Sequence, residues 1–227
     1  MKLLIIIPAY NEEQNIVTVI EDLKRKVPDY DYVIVNDGSK DGTAQVCREY
    51  GYNMIDLPIN LGLSGAVSTG MRYADERGYD AVVQFDSDGQ HQAEFLDKMK
   101  DFMEQEECDI VIGSRFVDTK KKPKTLRMFG SDIISLLIAI TTGNRITDPT
   151  SGMRMYGREV YKQFIRDVNY IPEPDTICLL IKKGFKVKEV QVEMQERISG
   201  QSYLNFLGSI KYMVKMSFSI LFIQMFR

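Results

Sequence analysis

The sequence is poor in the features that mark secreted or membrane-spanning proteins. It has three cysteines, Cys47, Cys108 and Cys178, which are odd in number and far apart. That spacing fits neither a disulfide framework nor a C-x-x-C metal site, and it indicates a reducing cytosol. No run reaches about 18 uninterrupted apolar residues, so no transmembrane helix is predicted. The run Leu3–Ile7 is too short for a signal peptide and favours a buried parallel strand.

Charge of one sign is also lacking. Lysine and arginine number 29 against 32 aspartates and glutamates, and the net charge of −3 gives no reason to expect a nucleic-acid partner. The chain has 227 residues, of which 44% are hydrophobic and 27% charged. This length and composition are typical of one large α/β domain, or of two small ones, with a sizeable core.

Short apolar runs alternate with helical patterns along the first half of the chain. Such alternation predicts an α/β fold with a mostly parallel sheet and right-handed crossovers. Strands are predicted at Leu3–Pro8, Tyr32–Val35, Met54–Leu57, Ala81–Phe85, Ile110–Gly113 and Val187–Met194. Helices are predicted at Asn11–Lys26, Gly65–Arg77, Glu94–Glu106, Ser131–Thr142, Arg158–Phe164, Asp175–Lys183 and Tyr203–Phe226, and within Ser39–Tyr50 after a loop. Asn11 is a possible N-cap of the first helix.

Two carboxylates, Asp86 and Asp88, follow the fourth predicted strand and are separated by one residue. Residues i and i+2 of an extended segment point to the same side, so the two side chains can converge. Close carboxylates repel each other unless a cation lies between them, and Mg²⁺ combines one or two carboxylates with phosphate oxygens. The pair therefore suggests a metal site for a diphosphate compound. A polar turn after a strand explains the same residues equally simply.

The ends of the first two strands are polar as well. In open α/β sheets, ligands bind beyond the carboxyl ends of the strands, where Asp37 could accept a hydrogen bond from a base or a ribose. Spacing alone favours a turn-capping role for Asp37 about as much. Asn60 and Gly62 lie in a glycine-containing turn before a helix, and helix N-termini favour phosphates.

Taken together in their order, these strings resemble family 2 glycosyltransferases with the GT-A fold. The resemblance rests on Ile7–Glu12, Asn36–Ser39, Asn60–Gly62 and Asp86–His91. Two later strings, Gly113–Arg115 and Asp148–Arg154, look like the dolichol- or polyprenyl-phosphate sugar synthase branch. The ordered set covers about residues 3–202, and an ordered set is far more specific than any one motif.

The resemblance implies an inverting transfer from a nucleotide-diphospho-sugar, with Mg²⁺ or Mn²⁺ as cofactor. It implies that Asp88 binds the metal directly, with Asp86 and Gln90 beside it. It assigns donor binding to Pro8, Ala9, Tyr10, Glu12, Asp37, Asn60, Gly62, Asp86 and Ser87. Arg197 matches a late R-x-x-G-x-S motif and would clamp the diphosphate, because Arg suits bidentate phosphate contact. Its alternative is a solvated arginine at a strand end.

Two acceptors remain open on the sequence. Arg115, Arg127 and Ser131 align with positions that hold a lipid phosphate in the polyprenyl-phosphate branch, and Ser151, Arg154 and His91 complete the candidate acceptor set. His91 lies beside the acidic pair, so it could instead support the metal ligands without binding the metal itself. Leu63 replaces a lysine that this branch often carries. Glu173 and Asp175 could instead serve a sugar hydroxyl of a lipid-linked or cell-surface glycan, because a hydroxyl needs a base and a phosphate does not. Helix N-terminal charge is the structural alternative for this pair.

The last part of the chain is apolar. We predict a GT-A domain at residues 1–202 and an apolar or amphipathic helix at residues 203–227. Its final apolar run is too short to span a bilayer, so it could lie in the membrane interface, bind a partner or another copy, or pack on its own domain. We expect a cytoplasmic protein in peripheral contact with the inner face of the membrane.

Two other function classes fit the predicted fold less well. A nucleotidyltransferase usually carries a glycine-rich loop with a basic residue near its N-terminus, and Ala9–Glu13 is acidic instead. A non-catalytic nucleotide-sugar-binding protein would have no need to retain Asp86, Asp88, Arg154 and Arg197 together. The sequence therefore favours a glycosyltransferase.

Overall fold

A computed structural model describes residues 1–119, 122–123, 125–167, 170–195 and 206–223. Within them, seven strands form one sheet in the order β3-β2-β1-β4-β6-β5-β7. The strands are β1 Leu3–Ala9, β2 Asp31–Asn36, β3 Met54–Asp56, β4 Ala81–Gln84, β5 Ile110–Ser114, β6 Arg154–Gly157 and β7 Val187–Gln191. Four of these six strand pairings are parallel, which confirms the predicted α/β class.

Helices cover both faces of the sheet. They are α1 Ile16–Lys26, α2 Thr43–Glu49, α3 Gly62–Glu76, α4 Phe95–Gln105, α5 Leu126–Thr142, α6 Arg158–Arg166, α7 Pro174–Lys182 and α8 Phe206–Phe218. A π-helical turn, Ser219–Ile223, continues α8.

The core forms two apolar layers, one on each side of the sheet. Alternate residues of β1 divide between them, with Leu4 and Ile6 in one layer and Ile5 and Ile7 in the other. All seven residues of β1 are buried. Each fully buried isoleucine contributes about 1.5–3 kcal/mol, so this strand contributes strongly to both layers of the core.

The first helix begins later than the sequence predicts. Asn11 adopts a left-handed φ of 57° and lies in a loop, and α1 begins at Ile16 after Asn15. The Oδ1 atom of Asn11 accepts a bond of 2.8 Å from the backbone N–H of Lys40, and its own N–H donates to Ser39 Oγ at 2.9 Å. The predicted N-cap at Asn11 is therefore wrong, because bonds to the segment after β2 hold this residue outside the helix.

Strand β6 is absent from the sequence-based prediction. It has four residues, runs antiparallel to β4 and β5, and places Arg154 opposite Gln84 in register. Helix α5 also starts five residues earlier than predicted, because the Thr125 side chain accepts from the backbone N–H of Met128 and caps it. The first departure brings Gly152, just before β6, close to Asp86, just after β4.

Candidate active site

The carboxyl ends of β2, β1 and β4 lie side by side at one edge of the sheet. Two bonds join the segments that follow these strands. Ser87 Oγ donates to the carbonyl of Pro8 at 2.9 Å, and the N–H of Asp37 donates to the carbonyl of Ala9 at 2.8 Å. The structure therefore brings the strand-end residues predicted from the sequence into one crevice.

Asp37 is buried and holds a distant loop. Its Oδ1 atom accepts from the backbone N–H of Leu61 at 2.7 Å, so it fixes the turn before α3. Gly38, with φ of 63°, lies against the same turn, where a Cβ would meet Asn60 N at 2.7 Å. Asn60 Oδ1 in turn accepts from the N–H of Gly62 at 3.1 Å. Asp37 thus has a structural role between loops, and a further role toward a nucleotide stays a prediction.

The segment after β1 is a loop with one buried side and one open side. Tyr10 is 42% exposed, whereas the N–H of Glu12 donates to Thr43 Oγ1 at 2.9 Å. Glu12 Oε2 accepts from Asn15 Nδ2 at 2.6 Å. This arrangement leaves the Tyr10 ring at the surface of the crevice and anchors Glu12 beneath it.

The acidic pair after β4 lies in a tight loop closed by Gly89, which has φ of 80°. The Asp86 side chain is 33% exposed and faces the crevice, whereas Asp88 is 6% exposed. Asp88 Oδ1 accepts from the N–H of Gln90 at 3.0 Å. His91 is buried behind the loop, and its Nδ1 accepts from the N–H of Asp86 at 2.9 Å. The loop therefore presents the Asp86 carboxylate to the crevice, whereas Asp88 is buried within the loop and His91 packs behind it.

The donor set of this loop fits a hard divalent cation. Carboxylate and amide oxygens of Asp86, Asp88 and Gln90 suit Mg²⁺ or Mn²⁺ better than a softer ion. Among the described residues, no group of three or more His, Cys, Asp and Glu side chains could hold a metal ion by itself. A cation here would need further ligands, and a diphosphate supplies them.

The segment after β5 contains an ion pair between a half-buried arginine and a fully buried aspartate. Asp148 is fully buried, and Arg115 contacts it through two bonds, Nε to Oδ2 at 2.7 Å and Nη2 to Oδ1 at 2.8 Å. Glu189 on β7 holds the same segment by accepting from the N–H of Asp148 at 2.8 Å. The Asp148 partner raises the pKa of Arg115 despite the opposing effect of burial. Arg115 thus holds the site's framework, and its predicted contact with a lipid phosphate remains untested.

Three other members of the predicted acceptor set are also buried. Arg154 is 2% exposed and donates to the carbonyls of Pro149 at 2.7 Å and Pro172 at 2.9 Å. Ser151 donates to the carbonyl of Gly113 at 2.6 Å, and Ser131 lies 3.4 Å from Thr150 Oγ1. These contacts join residues 149–154 to the segments that contain Gly113, Ser131 and Pro172.

Glu173 and Asp175 begin helix α7 and contact the C-terminal helix. Glu173 accepts from the hydroxyl of Tyr212 on α8. Asp175 Oδ2 accepts from Ser219 Oγ at 2.6 Å. Burial raises the pKa of Glu173, and the Tyr212 hydrogen bond and the Arg154 charge partly oppose that effect. Both candidate bases are therefore joined to the C-terminal segment that contains Tyr212 and Ser219.

The side chains of two predicted arginines are not described. Arg197 lies outside the described residues, and only the backbone of Arg127, in the first turn of α5, is described.

Sequence reasoning missed three residues that contact the predicted site residues. Gln84 contacts Asp86, Glu189 contacts Asp148, and Tyr212 contacts Glu173. Gln84 had a visible signal, because it is a polar residue within the apolar run Ala81–Phe85. Glu189 and Tyr212 had none, since their partners are distant in sequence.

The chain is similar to known sugar-transferring proteins. Residues 4–165 match the family profile "Glycosyl transferase family 2". An undecaprenyl-phosphate mannosyltransferase of Micrococcus luteus is 32% identical over 90% of this chain and 88% of its own length. A polyprenol monophosphomannose synthase of Mycolicibacterium smegmatis is 29% identical over 89% of this chain and 80% of its own length.

The fold has a solved counterpart. Glucosyl-3-phosphoglycerate synthase from Mycobacterium tuberculosis, crystallised with Mn²⁺, uridine diphosphate and phosphoglyceric acid, superposes with a TM-score of 0.71. The superposition covers 98% of this chain and 78% of that one, at 15% sequence identity. At that identity the likeness concerns the fold, and it confirms the architecture that the sequence predicts.

Proposed function

Since the chain belongs to glycosyl transferase family 2, we propose that it moves a sugar from a nucleotide-diphospho-sugar to a polyprenyl phosphate, with inversion at the anomeric carbon. The names of two relatives that match most of the chain, an undecaprenyl-phosphate mannosyltransferase and a polyprenol monophosphomannose synthase, support this acceptor. The contacts of the acidic residues near the site support it independently.

The donor occupies the crevice at the ends of β1, β2 and β4. Tyr10 and Asp37 contact the nucleoside, and Pro8, Ala9, Glu12, Asn60, Gly62 and Ser87 shape the walls around it. The turn before α3 and the segment after β1 are already fixed by hydrogen bonds. A pre-formed pocket loses little conformational entropy when the nucleotide binds.

Asp88, Asp86 and Gln90 hold Mg²⁺ or Mn²⁺ together with the diphosphate. The oxygen donors of the loop support this, as does a solved neighbour of the same fold that carries Mn²⁺ and uridine diphosphate. The cation would stabilise the negative charge that grows on the departing diphosphate. Arg197 provides a second positive charge there, since a guanidinium contacts phosphate oxygens in bidentate fashion.

The choice between the two acceptors depends on one observation. Glu173 and Asp175, the residues able to deprotonate a sugar hydroxyl, bind Tyr212 and Ser219 of the C-terminal segment. A polyprenyl phosphate is already ionised, so its oxygen attacks the anomeric carbon without a base. We propose that Arg127, Arg115 and Ser131 bind the acceptor phosphate, and that the carboxylates of Glu173 and Asp175 position α8.

A hydroxyl acceptor on a lipid-linked glycan is the second candidate. It is favoured by the raised pKa of Glu173, because a carboxylate with such a pKa is a better general base. For a hydroxyl acceptor, Glu173→Gln should lower kcat by about 10²–10⁴-fold. For a phosphate acceptor, Glu173→Gln should change kcat little.

Purified protein, Mn²⁺ and radiolabelled nucleotide sugars, tested separately with polyprenyl phosphate and with a polyprenyl-linked glycan, would compare the two candidates directly. Labelled, mild-acid-labile polyprenyl phosphate sugar is the expected product. Labelling of the glycan alone, together with loss of that labelling in Glu173→Gln, would replace the first candidate by the second.

We also propose that the protein lies peripherally on the inner face of the cell membrane, where a polyprenyl phosphate is embedded. None of the helices in the described ranges is both long and apolar enough to cross a bilayer. Helices α5 and α8 nevertheless expose large apolar side chains, namely Phe129, Ile133, Leu136, Ile140, Val214 and Phe218. Lys211 and Lys215 are exposed on α8, and positive charge near such a face favours anionic lipids.

Vesicle flotation tests the membrane contact. Wild-type protein should float with vesicles containing anionic lipid, and Leu136→Glu with Ile140→Glu should reduce that fraction without lowering the melting temperature. Ile59→Glu, a change at an exposed apolar residue distant in sequence, is the matched control. Equal flotation of all three proteins would contradict the proposed membrane contact of α5 and α8. Light scattering would then show whether these helices instead contact a second copy of the chain.

A further inference from the structure

The carboxylate of Asp86 is held from two sides, by Gln84 and by His91. Asp86 is the more exposed member of the acidic pair, so thermal motion of its side chain would change what the crevice presents to a ligand. A buried amide lies on one side of the carboxylate and a buried imidazole on the other.

Gln84 provides the amide. It is the last residue of β4, it is 3% exposed, and its Nε2 donates to Asp86 Oδ1 at 3.0 Å. Its own Oε1 is buried and has no hydrogen-bond partner among the described residues. A buried acceptor without a partner costs stability, so an apolar side chain of this shape would suit the fold better. The side chain therefore serves Asp86 at some expense to the core.

His91 provides the imidazole. Its Nδ1 accepts from the backbone N–H of Asp86, which assigns the ring proton to Nε2 in the neutral tautomer. Nε2 lies 3.5 Å from Asp86 Oδ2. The rings of Phe85 and His91 pack in a T-shaped arrangement, with their centroids 5.5 Å apart, and this contact fixes the imidazole plane. One side chain thus contacts both the backbone and the carboxylate of the same residue.

Gly152 closes the third side of the carboxylate. A Cβ built at this position would lie 2.8 Å from Asp86 Oδ2 and 3.5 Å from His91 Cε1. A larger residue would push the carboxylate away from the imidazole. The segment that Arg154 holds through Pro149 therefore also limits where Asp86 can move.

We propose that Gln84 and His91 are positioning residues that orient the Asp86 carboxylate toward the metal–diphosphate group of the donor. The inference rests on the proposed function, since it presumes that a nucleotide diphosphate and a divalent cation bind at this loop. In this proposal His91 acts on the donor side of the site through Asp86, and it does not bind the acceptor phosphate. Groups that orient a metal site in this way typically change affinity or activity by about 10–100-fold when they are removed.

Gln84→Met tests the amide, because methionine keeps the length of the side chain and removes the donor. Binding of Mn²⁺ in the presence of uridine or guanosine diphosphate is measured by electron paramagnetic resonance, without any acceptor. We expect the dissociation constant to rise about tenfold. The melting temperature should stay the same or rise, since the unpartnered Oε1 is removed as well. Gln163→Met, at a half-buried glutamine of α6, is the matched control and should change neither value.

The sign of the stability change separates positioning from a structural role. A lower melting temperature with unchanged Mn²⁺ and nucleotide binding would show that Gln84 only supports the fold, and it would overturn the proposal. If wild-type protein binds no nucleotide diphosphate with Mn²⁺, the proposed function itself fails. Gln84→Glu gives a second measurement, because a carboxylate beside Asp86 should weaken binding at least as much as methionine does.

His91→Asn separates the two roles of the imidazole. The Oδ1 atom of the introduced asparagine can take the place of the imidazole Nδ1 and accept from the N–H of Asp86, but no atom of asparagine replaces Nε2. We expect weaker Mn²⁺ and nucleotide binding, a lower kcat and an unchanged KM for the acceptor. The effects of Gln84→Met and His91→Asn should be less than additive, since both act through Asp86. A raised acceptor KM with normal nucleotide binding would return His91 to the acceptor side and overturn the proposal.

Discussion

The hydrogen bond from Tyr212 to Glu173 allows a prediction in which the effect of a mutation depends on pH. Tyr212→Phe removes one hydroxyl from α8 and leaves the half-buried carboxylate of Glu173 without this donor. A buried acceptor that loses its donor costs about 1–3 kcal/mol, and bonds to charged groups lie at the upper end of that range. For a protein of this size, about 1 kcal/mol shifts the melting temperature by about 2–4 °C.

The sign of the pH dependence follows from the direction of the shift. Burial raises the pKa of Glu173 in the folded state, so the folded protein binds this proton more tightly than the unfolded chain does. Stability from this group is fully present below the unfolded pKa, and it is lost as the pH rises through the folded pKa. Tyr212 opposes the upward shift by stabilising the carboxylate. Tyr212→Phe should therefore steepen the loss, with the largest difference from wild type at about pH 8 and a smaller one at about pH 5.

Thermal unfolding at the two pH values measures the effect. Tyr50→Phe, at a tyrosine that is 56% exposed, controls for the loss of a hydroxyl and should leave both curves unchanged. When Tyr212→Phe is made in protein that already carries Glu173→Gln, the pH-dependent part of its effect on the melting temperature should disappear, because the side chain at position 173 no longer ionises. An equal loss in Tyr212→Phe at both pH values would mean that the carboxylate is not the group that Tyr212 stabilises, and the reasoning would be refuted.

Three further changes test the site and its framework. Asp88→Asn should abolish sugar transfer with the melting temperature unchanged, because it removes a charge from the proposed cation site; turnover near the wild-type rate in saturating Mn²⁺ would refute the metal assignment. Asp37→Ala should weaken nucleoside diphosphate binding by about 1–3 kcal/mol in calorimetry, and an unchanged affinity would leave Asp37 as the acceptor for Leu61 alone. Arg115→Ala should destabilise the fold by about 3–5 kcal/mol in urea unfolding, since the fully buried Asp148 would lose its partner; unchanged stability would show that Arg115 does not hold the framework of the site.

Local pattern was sufficient for much of the architecture. The buried strand β1 and the strand before Asp86 are visible because apolar runs of four to eight residues bounded by turn residues are typical of parallel strands. The crevice was also accessible, since parallel strands place their carboxyl ends on one edge. The predicted start of the first helix was wrong. The helical pattern after β1 extends to Asn11, but contacts with residues 39–43 displaced the start of α1 to Ile16.

The sequence by itself therefore determined the fold class, the family and the place of the acidic pair, because each of these depends on patterns among neighbouring residues. Only the tertiary structure decided what the buried polar residues do. Arg115 meets Asp148, and Glu173 meets Tyr212, across 33 and 39 residues of chain. Strand β6 has four residues and a buried arginine, and its place between β4 and β5 comes from pairing rather than from local preference. A buried charge needs a partner, and that partner is chosen by packing in three dimensions, which no spacing along the chain records.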